Sequence, residues 1–238
     1  MKIETRFKLS SWGLRLALVP FGSVTVTGQE NLPQEGAYLI VTNHMSVADS
    51  PLLLLALPPQ QYHFFAGEKW ADLTFFGWWI KWLGAVFIDR TIVDRQALRV
   101  ALGHLEAGVP FGLAPEGTRS KEGPMNEAKD GAAYLAVKAG VPIVPVGFVN
   151  TDVIFKNMKR LKRTKMEVRI GKPFMLPDLG RRPRGGDMSA YTRYIMANIA
   201  ALLPPRYHGF YRGDPAVQAI MAGEDGWEHC IAQEVGTD

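Results

Sequence analysis

Short apolar runs alternate with amphipathic stretches along most of the chain, and each kind of pattern predicts a different element. Runs of about four to eight residues, rich in Val, Ile and aromatic side chains, are typical of buried strands. They occur at Val24–Thr27, Ala37–Thr42, Gln61–Phe65, Val109–Ala114, Ile143–Val149 and Met166–Ile170. Longer or capped stretches predict helices over Leu52–Leu57 after a Ser50-Pro51 start, Asp94–Ala107, Gly131–Ala139 and Asp187–Leu203.

This alternation of strands and helices indicates the fold class. It favours a mostly parallel sheet with helices on both faces, so we predict an α/β fold. We assign residues 1–22 to an N-terminal helix, residues 23–205 to one α/β domain and residues 206–238 to an acidic C-terminal extension. After Pro204-Pro205, the polar character of the sequence predicts a loosely packed extension.

Two aromatic stretches indicate contact with a membrane interface. Phe7–Phe21 is apolar but contains Lys8 and Arg15, and no small-residue cleavage site follows it, which favours an interfacial helix over a signal peptide. Leu73–Ile88 is shorter than the roughly 20 residues of a membrane span, and Lys81 interrupts it. We therefore expect the chain to lie on a membrane without crossing it. Aromatic rings suit the interface, with core packing as the alternative, and the second stretch holds Trp70, Phe75, Phe76, Trp78, Trp79 and Trp82.

Charge is distributed unevenly along the chain. The formal net charge is +4, but residues 211–238 carry one Arg against six acidic residues, so the other 210 residues carry 26 basic and 17 acidic side chains. Such a basic excess is typical of nucleic-acid binding, anionic-lipid binding or a solvated surface. Because no nucleic-acid motif accompanies it, we expect an anionic bilayer and no nucleic acid as partner. Much of the excess lies in Lys156, Lys159, Arg160, Lys162, Arg163 and Lys165, with Arg181, Arg182 and Arg184 beyond.

His44 and Asp49 form a candidate acid–base pair at the end of a predicted strand. On one continuous helix, residues five apart lie about 140° from each other, but across a strand–turn–helix junction their side chains can meet. Asp49 would then fix the tautomer of His44, leaving the other ring nitrogen to take a proton from a hydroxyl. The spacing alone is not specific, since His63 and His229 also precede a carboxylate by five residues. Those two histidines, however, fall within a predicted strand and a polar tail.

A second polar turn, Pro115–Ser120, follows the predicted strand Val109–Ala114. Ligand-binding groups of open α/β sheets gather at such strand ends. In this turn, Glu116 offers an acceptor for a substrate hydroxyl, Gly117 permits close backbone approach, and Arg119 can hold a phosphate through two parallel hydrogen bonds. The alternative interpretation is an ordinary polar turn with a surface arginine.

Four segments in a fixed order resemble the motifs of the glycerolipid acyltransferases, whose best-known members are the 1-acylglycerol-3-phosphate acyltransferases. They are Asn43–Asp49, Gly84–Arg90, Pro115–Ser120 and Val141–Val146, and the resemblance covers roughly residues 20–175. It implies that His44 is the base and Asp49 its partner. It further implies that the glycerol phosphate is held by Arg90, Glu116, Gly117, Thr118 and Arg119, and that Pro145 shapes the acyl-donor side.

The resemblance implies transfer of a fatty acyl group from acyl-CoA or acyl carrier protein to a lysophospholipid hydroxyl. The favoured acceptor is 1-acylglycerol 3-phosphate, giving phosphatidate, on the cytoplasmic face of a membrane and without a metal or other cofactor. Alternatives are a different lysolipid or glycolipid acceptor, or an inactive lipid-binding protein with this fold. Ala114 and Ala128 stand where many relatives have Phe, and the resemblance implies that this loop borders the acceptor pocket, so the acceptor stays open.

Direct transfer needs no covalent acyl-enzyme. The one cysteine, Cys230, lies in a polar segment beside His229, which argues against a thiol nucleophile and fits a reducing compartment. Candidate donors to the oxyanion are backbone N–H groups at the helix start after His44 or in the turn at Gly117.

Overall fold

One seven-stranded sheet organises the protein. The computed structural model describes residues 3–18, 20–88 and 95–231. In the sheet the strands follow the order β1-β7-β6-β2-β5-β3-β4. They span Gly22–Thr27 (β1), Leu39–Thr42 (β2), His63–Gly67 (β3), Ala85–Ile88 (β4), Phe111–Leu113 (β5), Ile143–Val149 (β6) and Thr164–Ile170 (β7).

Helices connect most of these strands and cover the sheet. They span Ile3–Leu18 (α1), Asp49–Ala56 (α2), Thr74–Trp82 (α3), Arg95–Glu106 (α4), Gly131–Ala139 (α5), Ile154–Met158 (α6), Gly185–Ala200 (α7), Pro215–Met221 (α8) and Trp227–Ile231 (α9). Every strand pair is parallel except β6 with β7. The predicted α/β fold with a mostly parallel sheet is confirmed.

The burial of each strand follows its place in the sheet. All seven residues of β6 are buried, because β6 lies between β2 and β7 and helices cover the sheet. Residues of β7 alternate between buried and more exposed positions, as expected for a strand with one covered face. The sequence predicted α5 and β6 with the bounds observed. The predicted start of α4 at Asp94 lies outside the described residues.

Parallel pairing brings the C-terminal ends of β2, β5 and β6 together on one side of the sheet. The register pairs Thr42 of β2 with Val146 of β6, and Val41 of β2 with Leu113 of β5. The segments that follow β2 and β5 therefore leave the sheet side by side. His63, in contrast, begins β3 and therefore lies at the N-terminal ends of the parallel strands. There its ring stacks on His104, with 3.7 Å between ring centroids.

The C-terminal segment is packed against the domain, so the expectation of a loose extension is wrong for residues 206–231. Tyr207, Tyr211 and Cys230 are buried, and Arg193 of α7 donates two hydrogen bonds to Asp214, at 2.7 and 2.8 Å. The composition of this segment does not indicate the packing, because its aromatic residues are scattered among charged ones. Burial raises the pKa of the Cys230 thiol to about 12, which disfavours the nucleophilic thiolate.

The N-terminal helix packs on the same body. Phe7 is buried, with its ring centroid 5.6 Å from that of Tyr62, and Ser11 donates to the backbone oxygen of Leu54 at 3.4 Å. Within the described residues, none of the helices combines the length and the apolar character that a membrane span requires.

Candidate active site

His44 and Asp49 meet across the junction between β2 and α2. The chain leaves the sheet after Thr42, so that Asn43 and His44 are the first residues of the turn. Asp49 is the first residue of α2. Nδ1 of His44 lies 2.9 Å from Oδ2 of Asp49, and the two side chains are 14% and 3% exposed. The predicted contact across a strand–turn–helix junction is therefore present.

The Asp49 carboxylate also fixes the turn that carries the histidine. Its Oδ2 atom accepts the N–H groups of Met45 and Ser46, each at 2.8 Å, in addition to the His44 ring. A carboxylate at the first turn of a helix is further favoured by the helix dipole. Because a carboxylate only accepts, His44 must carry its proton on Nδ1, which leaves Nε2 as the basic nitrogen.

Asn43 anchors the start of this turn to the neighbouring strand. Its Nδ2 donates to the backbone oxygen of Phe148 at 3.2 Å, and its Oδ1 accepts the Phe148 N–H at 2.7 Å. The fully buried side chain of Asn43 thus continues the β2–β6 ladder past the end of β2. Sequence reasoning gave Asn43 no role, although its place in the motif beside His44 was the available signal.

Glu116 links the histidine turn to the second polar loop. Its Oε1 accepts the backbone N–H of His44 at 3.0 Å, and its Oε2 accepts the N–H of Asn126 at 2.8 Å. The side chain is buried, and burial raises the pKa of Glu116 to about 7, although both N–H groups oppose that rise. The carboxylate is thus engaged by backbone on both oxygens, whereas its predicted contact with a substrate hydroxyl stays a prediction.

Ser120 completes the link between the two loops. Its N–H donates to the backbone oxygen of His44 at 2.8 Å, and its hydroxyl lies 3.3 Å from the same oxygen. Both backbone polar groups of His44 are therefore bonded to the second loop, one through Glu116 and one through Ser120. The ring is positioned by its own backbone as well as by Asp49.

The other residues predicted to bind substrate lie at different places around this pair. Gly117 has a φ of 66°, in the left-handed region that favours glycine, and lines a cleft next to His44. Arg119 lines a smaller cavity that also reaches His44, and Thr118 is exposed. Pro145 is buried in β6 and is not among the described residues that line either cavity. Arg90 lies outside the described residues.

The cleft beside His44 has a volume of about 870 Å³. Three cationic side chains, Arg95, Arg99 and Lys129, line it together with His44 and Asp49. Sequence reasoning assigned none of these three to the site, because their approach depends on how α4 and the segment before α5 pack. Much of the remaining wall is apolar and comes from Phe7, Leu53, Leu54, Leu57, Tyr62, Phe64, Phe65, Leu98 and Leu113.

Several backbone N–H groups suggested as oxyanion donors are engaged within the protein. The N–H groups of Met45 and Ser46 donate to Asp49, and that of Ala48 donates to the Ser46 hydroxyl at 3.2 Å. The Gly117 N–H donates to the backbone oxygen of Ala114 at 3.0 Å. These four groups are therefore occupied in the structure.

Comparison with known proteins identifies the family. The sequence profile of the acyltransferase family matches residues 23–149, so the chain belongs to that family. It is 26% identical over 197 residues to the 1-acyl-sn-glycerol-3-phosphate acyltransferase of Bacillus subtilis (strain 168), covering 82% of this chain and 96% of that protein. The predicted family and the predicted enzyme class, an O-acyltransferase, are confirmed.

Two further proteins show the range of the similarity. The 1-acyl-sn-glycerol-3-phosphate acyltransferase alpha of Bos taurus is 33% identical over 165 residues, which cover 67% of this chain and 56% of that protein. The crystal structure of the 1-acyl-sn-glycerophosphate (LPA) acyltransferase PlsC from Thermotoga maritima matches with a TM-score of 0.65 at 29% identity. That match covers 82% of this chain and 78% of PlsC, which supports the same fold.

Replacing Glu116 tests whether its carboxylate holds the two loops. In Glu116→Gln the amide keeps one acceptor oxygen but turns its NH2 group toward a backbone N–H, so a buried donor loses its partner at a cost of about 1–3 kcal/mol. We expect a lower melting temperature and, at saturating substrates, a transfer rate reduced by at least about tenfold. Glu106→Gln, at an exposed position of α4, is the control.

The alternative is the role predicted from sequence, in which Glu116 accepts a substrate hydroxyl. If Glu116 mainly accepts a substrate hydroxyl, Glu116→Gln should raise the acceptor concentration required and leave the melting temperature at the wild-type value. Thermal unfolding and substrate titration of the two variants therefore distinguish the roles.

Proposed function

We propose that the protein transfers a fatty acyl group from acyl-CoA or acyl carrier protein to the free hydroxyl of 1-acylglycerol 3-phosphate, giving phosphatidate. The observation that carries this proposal is the His44–Asp49 pair, which lies where an apolar cleft and the cavity lined by Arg119 adjoin. An apolar wall suits an acyl chain, and an arginine suits the acceptor phosphate.

The pair performs the reaction as a general base and its orienting group. Nε2 of His44 removes the proton of the acceptor hydroxyl as the oxygen attacks the thioester carbonyl carbon. A C–O bond forms and the C–S bond breaks, and the proton passes from His44 to the departing thiolate. Asp49 keeps Nδ1 protonated and stabilises the imidazolium that forms between these two steps. The thioester is a co-substrate, and no further cofactor takes part.

Cationic side chains of the large cleft, which Glu127 and Asp130 also line, support a donor that carries phosphate. Arg95 and Arg99 lie one turn apart on α4, and Lys129 lines the same cleft. Acyl-CoA and the phosphopantetheine arm of acyl carrier protein both carry phosphate, which such side chains can bind. The apolar wall of the cleft then holds the acyl chain.

The choice of acceptor rests on Arg119 and on the names of the relatives. The proteins from Bacillus subtilis and Bos taurus are named 1-acyl-sn-glycerol-3-phosphate acyltransferases. A different lysolipid or a glycolipid acceptor would keep the same chemistry and change the pathway. An inactive lipid-binding protein is disfavoured, because the hydrogen-bonded pair His44–Asp49 is intact.

An acceptor series tests the proposed substrate. Purified protein in mixed micelles is supplied with acyl-CoA or acyl carrier protein thioester and with 1-acylglycerol 3-phosphate, lysophosphatidylcholine or monoacylglycerol. We expect the phosphate monoester to be the preferred acceptor. Arg119→Ala should raise the concentration of 1-acylglycerol 3-phosphate needed for half-maximal rate by about tenfold or more, the equivalent of about 1.4 kcal/mol. Arg182→Ala, at an exposed position, is the control. Equal use of monoacylglycerol, or an unchanged requirement in Arg119→Ala, would contradict the assignment.

We further propose that the protein binds the membrane peripherally, on the cytoplasmic face. Leu9, Trp12 and Leu16 of α1 lie on one face of the helix and are 53%, 66% and 54% exposed. Leu161 is 98% exposed at the tip of the turn before β7. The start of β7, just after that turn, lies beside the start of β1, the strand that follows α1, because the Thr164 N–H donates to the backbone oxygen of Phe21 at 2.9 Å.

The charges around Leu161 suit an anionic bilayer. Each basic residue near an anionic leaflet adds about 1 kcal/mol to membrane binding. Exposed basic residues around this turn are Lys156, Lys159, Arg160, Lys162, Arg163 and Lys165. The cytoplasmic face is favoured because the buried cysteine Cys230 has no disulfide partner, as expected in a reducing compartment.

Vesicle binding tests this surface. Trp12→Ala and Leu161→Ala should each weaken binding to vesicles that contain phosphatidylglycerol by about tenfold, because each removes apolar area from the interface. Added salt should weaken the binding further. Met221→Ala, which alters an equally exposed apolar side chain on α8, should bind as the wild type does. A Trp12→Ala/Leu161→Ala double variant that binds as tightly as the wild type would refute the proposed surface.

A further inference from the structure

A C-terminal clamp, defined as residues 204–214, lies against the site loop, residues 115–130. The family match ends at residue 149, so the clamp is outside it. Two backbone bonds join clamp and loop: the Met125 N–H donates to the Tyr207 oxygen at 2.9 Å, and the Phe210 N–H donates to the Met125 oxygen at 3.0 Å. In a third bond, the hydroxyl of Tyr211 accepts the N–H of Ala128 at 3.1 Å.

The contact is closely packed and shielded from solvent. Met125, Tyr207 and Tyr211 are 2%, 3% and 4% exposed. Gly209 has a φ of 53°, and a Cβ atom at this position would lie 2.1 Å from the Met125 oxygen. Only a residue without a side chain allows the two backbones to approach so closely. The clamp therefore fixes the position of the Met125 backbone.

The clamped stretch continues directly into the site. Between Met125 and Ala128, the N–H of Asn126 donates to Glu116, whose other oxygen holds the His44 backbone. The Lys129 N–H donates to the backbone oxygen of Pro115 at 2.9 Å, and the Lys129 side chain lies against Gly117. Burial raises the pKa of Tyr211 above its ordinary value, and the charge of nearby Glu116 adds to that rise.

We propose that the clamp positions the acceptor-binding side of the site, with Gly209 and Tyr211 as positioning residues that act through Met125, Asn126 and Ala128. This inference rests on the proposed function, since it assigns residues 116–119 of the site loop to the acceptor. The catalytic pair has its own hydrogen bonds through Asp49 and Asn43. Loosening the clamp disturbs the Asn126 bond to Glu116 but leaves the bond from the His44 N–H to Glu116 in place, so it should affect acceptor binding more than the chemical step.

Two glycine variants separate positioning from backbone strain. Gly209 and Gly213 both lie in the clamp at positive φ, 53° and 76°, so alanine is strained at either position. A Cβ atom at Gly213 meets nothing within 4 Å, whereas at Gly209 it meets the Met125 backbone. Gly209→Ala should raise the acceptor concentration for half-maximal rate by about fivefold or more relative to Gly213→Ala, and kcat should change less.

Tyr211→Phe tests the hydroxyl if Gly209→Ala does not fold. It keeps the ring and removes the acceptor of the Ala128 N–H, so the acceptor requirement should again rise at similar kcat. Tyr194→Phe is the matched control, because this buried tyrosine donates instead to Asp225 of the C-terminal segment, at 3.0 Å. Loss of thermal stability alone, equal in both tyrosine variants, would indicate a merely structural role and overturn the proposal.

Hydrogen–deuterium exchange distinguishes failure of this inference from failure of the proposed function. Exchange in residues 120–130 should increase in Gly209→Ala relative to Gly213→Ala, whatever substrate the enzyme uses. A wild-type protein that acylates no acceptor would contradict the proposed function while leaving this readout intact. Equal exchange and equal acceptor requirement in the two glycine variants would overturn the clamp alone.

Discussion

A single buried carboxylate, that of Glu116, connects the parts of the site. One oxygen accepts the backbone N–H of His44, and the other accepts that of Asn126, in the loop that follows Pro115–Ser120. Because the group is buried, each lost bond would leave an unpaired donor at a cost of about 1–3 kcal/mol. The position of the His44 backbone is thereby coupled to that of the loop around Asn126.

The sheet makes this coupling possible. Parallel pairing of β2 with β5 and β6 brings the turn that carries Asn43 and His44 next to the loop Pro115–Ser120, at the C-terminal ends of these strands. The apolar cleft opens beside these strand ends and the arginine-lined cavity adjoins it. The N-terminal helix and the basic turn at Leu161 place exposed apolar and cationic side chains on the outside of the same body.

Local sequence patterns predict those features of the structure that depend on residues close together in the chain. The strand–turn–helix context of His44 and Asp49 indicated their contact, and α5 and β6 followed from hydrophobic periodicity. The partners of Glu116 could not be predicted, because they are backbone N–H groups that carry no residue-type signal. Tyr211 bonds to Ala128 across 83 residues of sequence, a contact that only the packed chain defines. Packing likewise determines the approach of Arg95, Arg99 and Lys129 to the cleft.

The central claim is that His44 is the base for acyl transfer to a lysolipid hydroxyl, and phosphatidate formation by His44→Ala tests it most directly. Purified wild type, His44→Ala and the exposed control His229→Ala are compared in mixed micelles with an acyl thioester and 1-acylglycerol 3-phosphate. The rate should fall by at least about 100-fold in His44→Ala, while vesicle binding and the control stay at wild-type values. A His44→Ala enzyme that forms phosphatidate at a rate close to that of the wild type would contradict the account.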